Sequence, residues 1–305
     1  MSKTTSLKVL IPTSFILLVA IAFFLQSTSC SKARVQPNTL NSYSSVNNYF
    51  SSKQQPEQVD TIKGPGPGPI IGLLGTKIWG SKQCLTFPNG DSVSYPFVIK
   101  LVELYSPKDM IYYQMPTVAG GTILKTDGEI RLRAFKGSTE LILKPNPCMF
   151  QIEMPCVAPQ VGKSAYYGIT TNSEPDWALS NPLVPFTTNV ASYTAYITKL
   201  GWINCGQTAP GASNISLSFT STTDDLTNVG IFVYLPSTKT VVQVYNQQTN
   251  VIPAGSNAKI IAIGVNGSGN LFYWYQQATL TSSSNYSISL ASTTDAALTT
   301  LLNGL

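Results

Sequence analysis

From Gly75 to the C-terminus the chain reads as short apolar runs cut by Gly, Pro and Asn turns. Glu129-Ile130-Arg131-Leu132-Arg133-Ala134-Phe135 alternates polar and apolar residues strictly, the mark of a strand with one buried face. Lys136-Gly137-Ser138-Thr139 then turns the chain into Glu140-Leu141-Ile142-Leu143. Upstream, Cys84 to Phe87, Phe97 to Leu104 and Met110 to Tyr113 are further runs of the same kind. Residues 145–190 are Pro-rich and read as a connection with short strands, and Tyr193 to Trp202 as another strand. After a Gly-rich boundary at Gly206 to Gly211 the pattern resumes: Ile215 to Phe219, Gly230 to Leu235, Thr240 to Tyr245 and Ala258 to Val265. Asn266-Gly267-Ser268-Gly269-Asn270 is a hairpin turn into Leu271 to Tyr275. Ser292-Thr293-Thr294-Asp295 fits a capping box for a short final helix with Leu298, Leu301 and Leu302 on one face. Strands spaced by roughly ten residues with such turns predict β-sandwiches. The expected fold is therefore all-β, with two β-sandwich-like domains at 75–206 and 207–305.

The N-terminal part breaks this pattern. Lys3 and Lys8 precede an apolar run from Val9 to Leu25, and Gln26-Ser27-Thr28-Ser29 leads to Cys30. A basic start, a hydrophobic stretch and small residues before a cut site predict a signal peptide over 1–29. The rival reading is an uncleaved membrane anchor. The run is about 17 residues, the lower limit for a span, and holds Pro12. Small residues directly before a thiol favour lipid attachment at Cys30, whose buried acyl chains hold at about 0.8 kcal/mol per methylene. Residues 30–74 are rich in Ser, Asn and Gln and end in the repeat Gly64-Pro65-Gly66-Pro67-Gly68-Pro69, so a disordered tether is expected.

Export changes the reading of the cysteines. Cys84, Cys148, Cys156 and Cys205 would sit in an oxidising compartment, where disulfides are the default. Three pairings are open, and the short Cys148–Cys156 spacing with its flanking prolines favours that one. Zinc is not expected, because the chain has no histidine and no Cys-x-x-Cys.

Composition then removes whole classes of chemistry. With no histidine there is no Ser-His-Asp or Cys-His catalysis. Carboxylate pairs remain possible in principle, but Glu103, Asp109, Asp127, Glu129, Glu140, Glu153, Glu174, Asp176, Asp224 and Asp225 form no motif. Asp224-Asp225 reads as a turn and not a calcium loop. No catalytic residue, metal or cofactor is expected. The formal charge of +5 falls to +3 once Lys3 and Lys8 leave with the signal, and no basic cluster suits nucleic acid. Tyr273, Trp274 and Tyr275 are candidate sugar-stacking rings, against the plainer reading that they pack a core and pair across strands.

Several stretches resemble known sequences. Ser29-Cys30-Ser31-Lys32 resembles the processing site of Bacteroidetes lipoproteins. Val98 to Leu143, Leu200-Gly201-Trp202-Ile203-Asn204-Cys205 and Ile252-Pro253-Ala254-Gly255 are similar to modules of uncharacterised Bacteroidetes envelope proteins, over about residues 75–305. The second stretch departs at Gly206, where those proteins carry an acid. The resemblance implies lineage and β-architecture. It also implies the outer membrane, with Ser31, Lys32, Ala33 and Arg34 leaning to the periplasmic face. The function expected is a non-catalytic structural or protein-interaction module of the cell envelope, held to the membrane by lipid. The alternative is a carbohydrate-binding or adhesive surface module. The partner would be an envelope protein or a glycan.

Overall fold

A computed structural model describes residues 40–305 except 67 and 210–212. Signal peptide, Cys30 and the start of the tether lie outside the described residues. The rest is all-β, with three short helices, and stacks in layers.

The first pair of sheets surrounds one core. A nine-stranded sheet runs, in spatial order, Gln58–Ile62, Phe97–Leu104, Thr122–Lys136, Gly201–Thr208, Ser164–Thr171 and Glu174–Leu179, with three short strands beside this path. Against it lies a five-stranded sheet ordered Thr187–Thr188, Ser192–Ile197, Phe150–Pro155, Lys77–Trp79 and Ile70–Ile71. Ile99, Leu101, Ile130, Leu132 and Ala134 face Ile152, Met154, Tyr193 and Ala195 in the core between them. The second pair repeats the scheme. Three strands (Gln248–Pro253, Asn214–Thr220, Ser284–Ser287) cover five (Thr240–Val244, Gly230–Leu235, Ser256–Val265, Leu271–Leu280, Ala291–Thr293). Leu217, Phe219, Val233, Leu235, Ile260 and Ala262 fill the space between.

A third core joins the two pairs. Val102, Leu104, Leu124, Tyr166 and Trp177 on the outer face of the nine-stranded sheet meet Phe232, Tyr234, Val241, Ile261 and Ile263 on the outer face of the second five-stranded sheet. Helices Asn47–Lys53, Pro107–Tyr113 and Asp295–Asn303 contribute Phe50, Met110, Ile111, Leu298 and Leu302 to the same core. The strand Gly230–Leu235 is covered by the seam core on one face and by the second sandwich core on the other, so it is buried at every residue and shows no alternation.

The structure corrects three expectations. Residues 40–62 are folded and not a tether: the Asn47–Lys53 helix buries Phe50 completely, and Gln58–Ile62 pairs with Phe97–Leu104. Tyr43, Val46 and Phe50, spaced three and four apart, supply the buried stripe among polar neighbours. Gly64, Pro65, Gly66 and Gly68 lie outside helix and strand and line a cavity of about 340 Å³ with Ile78, Tyr95 and Phe97. Met110 to Tyr113 belongs to a helix and not a strand, because Pro107 occupies its first turn and the Ser106 hydroxyl accepts from the Asp109 amide. The disulfide joins Cys84 to Cys148, with Cα atoms 5.0 Å apart, while Cys156 and Cys205 are free thiols. The pairing of Leu85–Thr86 with Thr139–Leu143 carries the two bridged segments side by side, which sequence proximity does not reveal.

Candidate functional site: a polar cleft at the seam

The two halves part at one edge of the seam. Two hairpins flank the opening, one from each half. Thr171 pairs with Glu174 across Asn172-Ser173, and Tyr245 bridges Gln248 across Asn246-Gln247. All four central residues have positive φ, between 49° and 67°, as a two-residue hairpin with right-twisted strands requires. None is glycine, so each turn carries backbone strain. Gln114, which ends the Pro107–Tyr113 helix in a left-handed conformation, also lines the cleft.

The cleft has two lobes, of about 320 and 330 Å³, which share Glu174, Gln243, Tyr245 and Asn246 as a common wall. One lobe adds Asn47, Gln114, Asn228 and Gln247 over a floor of Val46, Phe50 and Ile231. The other adds Asn172, Asp176, Gln248 and Asn250 beside Pro116, Pro175 and Val242. No Lys or Arg lines either lobe.

The shared wall follows from strand periodicity. Along Thr240–Val244 and its extension, Val242 and Val244 enter the second sandwich core, so Gln243 and Tyr245 face the seam with Val241. The Gln243 Oε1 and Tyr245 hydroxyl are buried and have no hydrogen-bond partner. Burial, and then the nearby charge of Glu174, push the Tyr245 phenol up. Burial also raises the Glu174 carboxyl above its ordinary value. Asp176 accepts from the Gly120 and Trp177 amides at 3.0 and 2.7 Å. Glu174 and Asp176 stand two apart on one strand, side by side on one wall and not opposed across the opening.

No family model, curated protein or solved structure matches this chain.

The candidate rings sit elsewhere. Tyr273 and Tyr275 pack against the seam core and Trp274 against the second sandwich core. Trp274 meets Tyr286 edge-on at 6.4 Å, and Phe272 meets Tyr43 at 5.5 Å. All five residues from Leu271 to Tyr275 are half-buried, so they form no open platform. Cys205 is buried in the first core, and Cys156 lines a shallow cavity with Tyr105, Asp127 and Lys239. Asp224 is a structural hub, accepting from the Tyr43 hydroxyl at 2.7 Å and the Leu290 amide at 3.1 Å, while Asp225 caps a short 3-10 turn.

Two buried charges have partners that the sequence does not indicate. Lys163 is fully buried and reaches Asp127 at 3.0 Å and the Lys125 carbonyl at 2.6 Å. Asp127 also binds Lys239 at 2.9 Å and accepts from the Tyr193 hydroxyl at 2.8 Å. Burial pushes the Asp127 carboxyl up, but the Lys239 hydrogen bond and the Lys163 charge outweigh it and hold the group below the usual carboxylate range. Glu129 is also buried. Its Oε1 accepts from Asn204 Nδ2 at 3.0 Å, and its Oε2 has no partner.

Sequence reasoning missed Gln243, Tyr245 and Asn246 as site residues. The available signal was a glutamine alternating with valines inside an otherwise apolar strand, followed by a polar two-residue turn.

Proposed function

We propose that this chain is a non-catalytic binding module of a bacterial cell envelope, tethered to the outer membrane through a lipidated Cys30. The observation that carries the reading is the seam cleft, with its buried and unpartnered Gln243 Oε1 and Tyr245 hydroxyl. Such groups cost stability, by about 1–3 kcal/mol each, unless something completes their hydrogen bonds. A preformed concavity of this size with a few convergent polar groups is the usual form of a ligand site. The lack of histidine and the side-by-side placement of Glu174 and Asp176 support binding over catalysis. Among the described residues no helix is long and apolar enough to cross a membrane, which is compatible with lipid as the anchor.

A second reading, docking of an envelope protein, is favoured by one other feature. Val157 and Val190 are 97% and 96% exposed, beside Cys156 and Ala191, which are hydrogen-bonded to each other. Exposed aliphatic residues grouped at one edge suit a protein contact.

Anchoring and exposure are tested together by feeding cells an alkyne-bearing palmitate analogue and shaving them with protease. The chain should take up label, and Cys30→Ala should abolish it. Persistence of label in that variant would refute the anchor. Resistance to protease in intact cells but not in lysed ones is expected for a periplasmic body.

A further inference from the structure

The cleft reading leaves the ligand class open, and the chemistry of the two lobes narrows it. Anionic ligands are disfavoured, because Glu174 and Asp176 line the site and no cation does. Acceptors predominate: the buried Gln243 Oε1 lacks a donor, and the Glu174 carboxyl adds two acceptor oxygens on the shared wall. A peptide backbone brings one donor and one acceptor per residue and binds best along an open strand edge. A pyranose brings several hydroxyl donors on each ring, together with an aliphatic C–H face. Both lobes offer that face a counterpart in half-buried aliphatic residues, Val229 in one and Val118, Pro175 and Val251 in the other. Planar carboxylate and amide side chains, here Glu174, Gln243 and Asn246, match pairs of neighbouring hydroxyls. Two lobes that share one wall suit two linked rings, one in each.

We propose that the seam cleft binds a neutral oligosaccharide, two sugar residues occupying its two lobes and sharing hydrogen bonds to Glu174, Gln243 and Tyr245. This rests on the cleft being the binding site. The Tyr245 hydroxyl and the Gln243 amide then acquire partners only in the complex. A site built around hydroxyl recognition rejects analogues that lack the hydroxyl, because its own buried groups would stay unpaired. The strained Asn172-Ser173 and Asn246-Gln247 turns hold the two walls in place before the ligand arrives.

The test uses the full chain in a detergent without a sugar headgroup. Cellobiose, chitobiose, maltose and xylobiose are titrated by saturation-transfer NMR, alongside spermidine and N-acetyl-Gly-Gly-amide. At least one disaccharide should bind, and Tyr245→Phe and Gln243→Leu should each weaken it by about tenfold or more, the loss of one hydrogen bond. Both variants should keep the parent melting temperature or exceed it, since each removes an unpartnered buried atom. No binding by any of the four sugars would overturn the saccharide assignment. Tyr245-dependent binding of spermidine or the peptide instead would overturn it while keeping the cleft as a site. Sugar binding indifferent to both variants would overturn the cleft itself.

Discussion

Lys163, Asp127 and Glu129 show how differently buried ionisable groups are handled at one sheet. The Lys163 ammonium is fully buried and would be uncompensated without Asp127. Asp127→Asn should cost about 3–5 kcal/mol in a denaturant titration, the usual consequence of removing one partner from a buried pair. Lys239→Ala, which removes the exposed partner of the same carboxylate, should cost under about 1 kcal/mol. Glu129 has no cation to hold it ionised, and burial raises its carboxyl well above the ordinary 4.5 despite the Asn204 hydrogen bond. Unfolding releases a group that ionises above that ordinary value while the folded chain keeps it protonated. Its stability contribution is therefore whole below about pH 4.5 and falls as pH rises toward the folded value. Glu129→Gln should leave the melting temperature near the parent's at pH 4 and raise it increasingly from pH 6 to pH 8. An equal shift at every pH would refute a protonated Glu129.

Phe50 carries the clearest lesson at the level of elements. Its helix, Asn47–Lys53, is short and has no side-chain N-cap, so its own hydrogen bonds cannot sustain it in water. What fixes it is the ring, which meets Phe232 at 5.7 Å and Tyr112 at 6.3 Å in the seam core. Phe50→Ala should cost about 3–5 kcal/mol in denaturant stability and open the segment to protease near Lys53. A true tether would show neither effect. Other elements were legible because their instructions are local. The last helix forms where the pattern predicts one, but its N-cap is Thr294, which accepts from the Ala297 amide, and not Ser292, which lies in the strand Ala291–Thr293. The Asn266–Asn270 turn likewise joins the pair Val265 and Leu271. The Asn47–Lys53 helix was not legible, because its warrant is a distant apolar surface and not its own composition.

For the whole molecule, the seam makes the halves interdependent. The Thr117 hydroxyl accepts from the Val241 amide at 2.8 Å, and the Thr240 hydroxyl donates to the Leu124 carbonyl at 2.7 Å. Residues 207–305 expressed alone would expose Phe232, Tyr234, Val241, Ile261 and Ile263 together. That fragment should aggregate or stay unfolded by circular dichroism, whereas the complete chain should unfold in one calorimetric transition. Two well-separated transitions would mean that the shared core couples the halves weakly. The seam also creates the cleft, since Glu174 and Tyr245 are 71 positions apart and belong to different sheet pairs.

Alternation, turn residues and capping were enough to determine from sequence alone an all-β chain with a short C-terminal helix, because each acts over a few residues. The absence of histidine likewise removed histidine-based chemistry without reference to any fold. Which cysteines pair, whether residues 40–62 fold and where polar side chains converge were decided only by the tertiary structure. Each depends on packing between segments far apart in the chain, where the free energy comes from surfaces that burial brings together and no local pattern records.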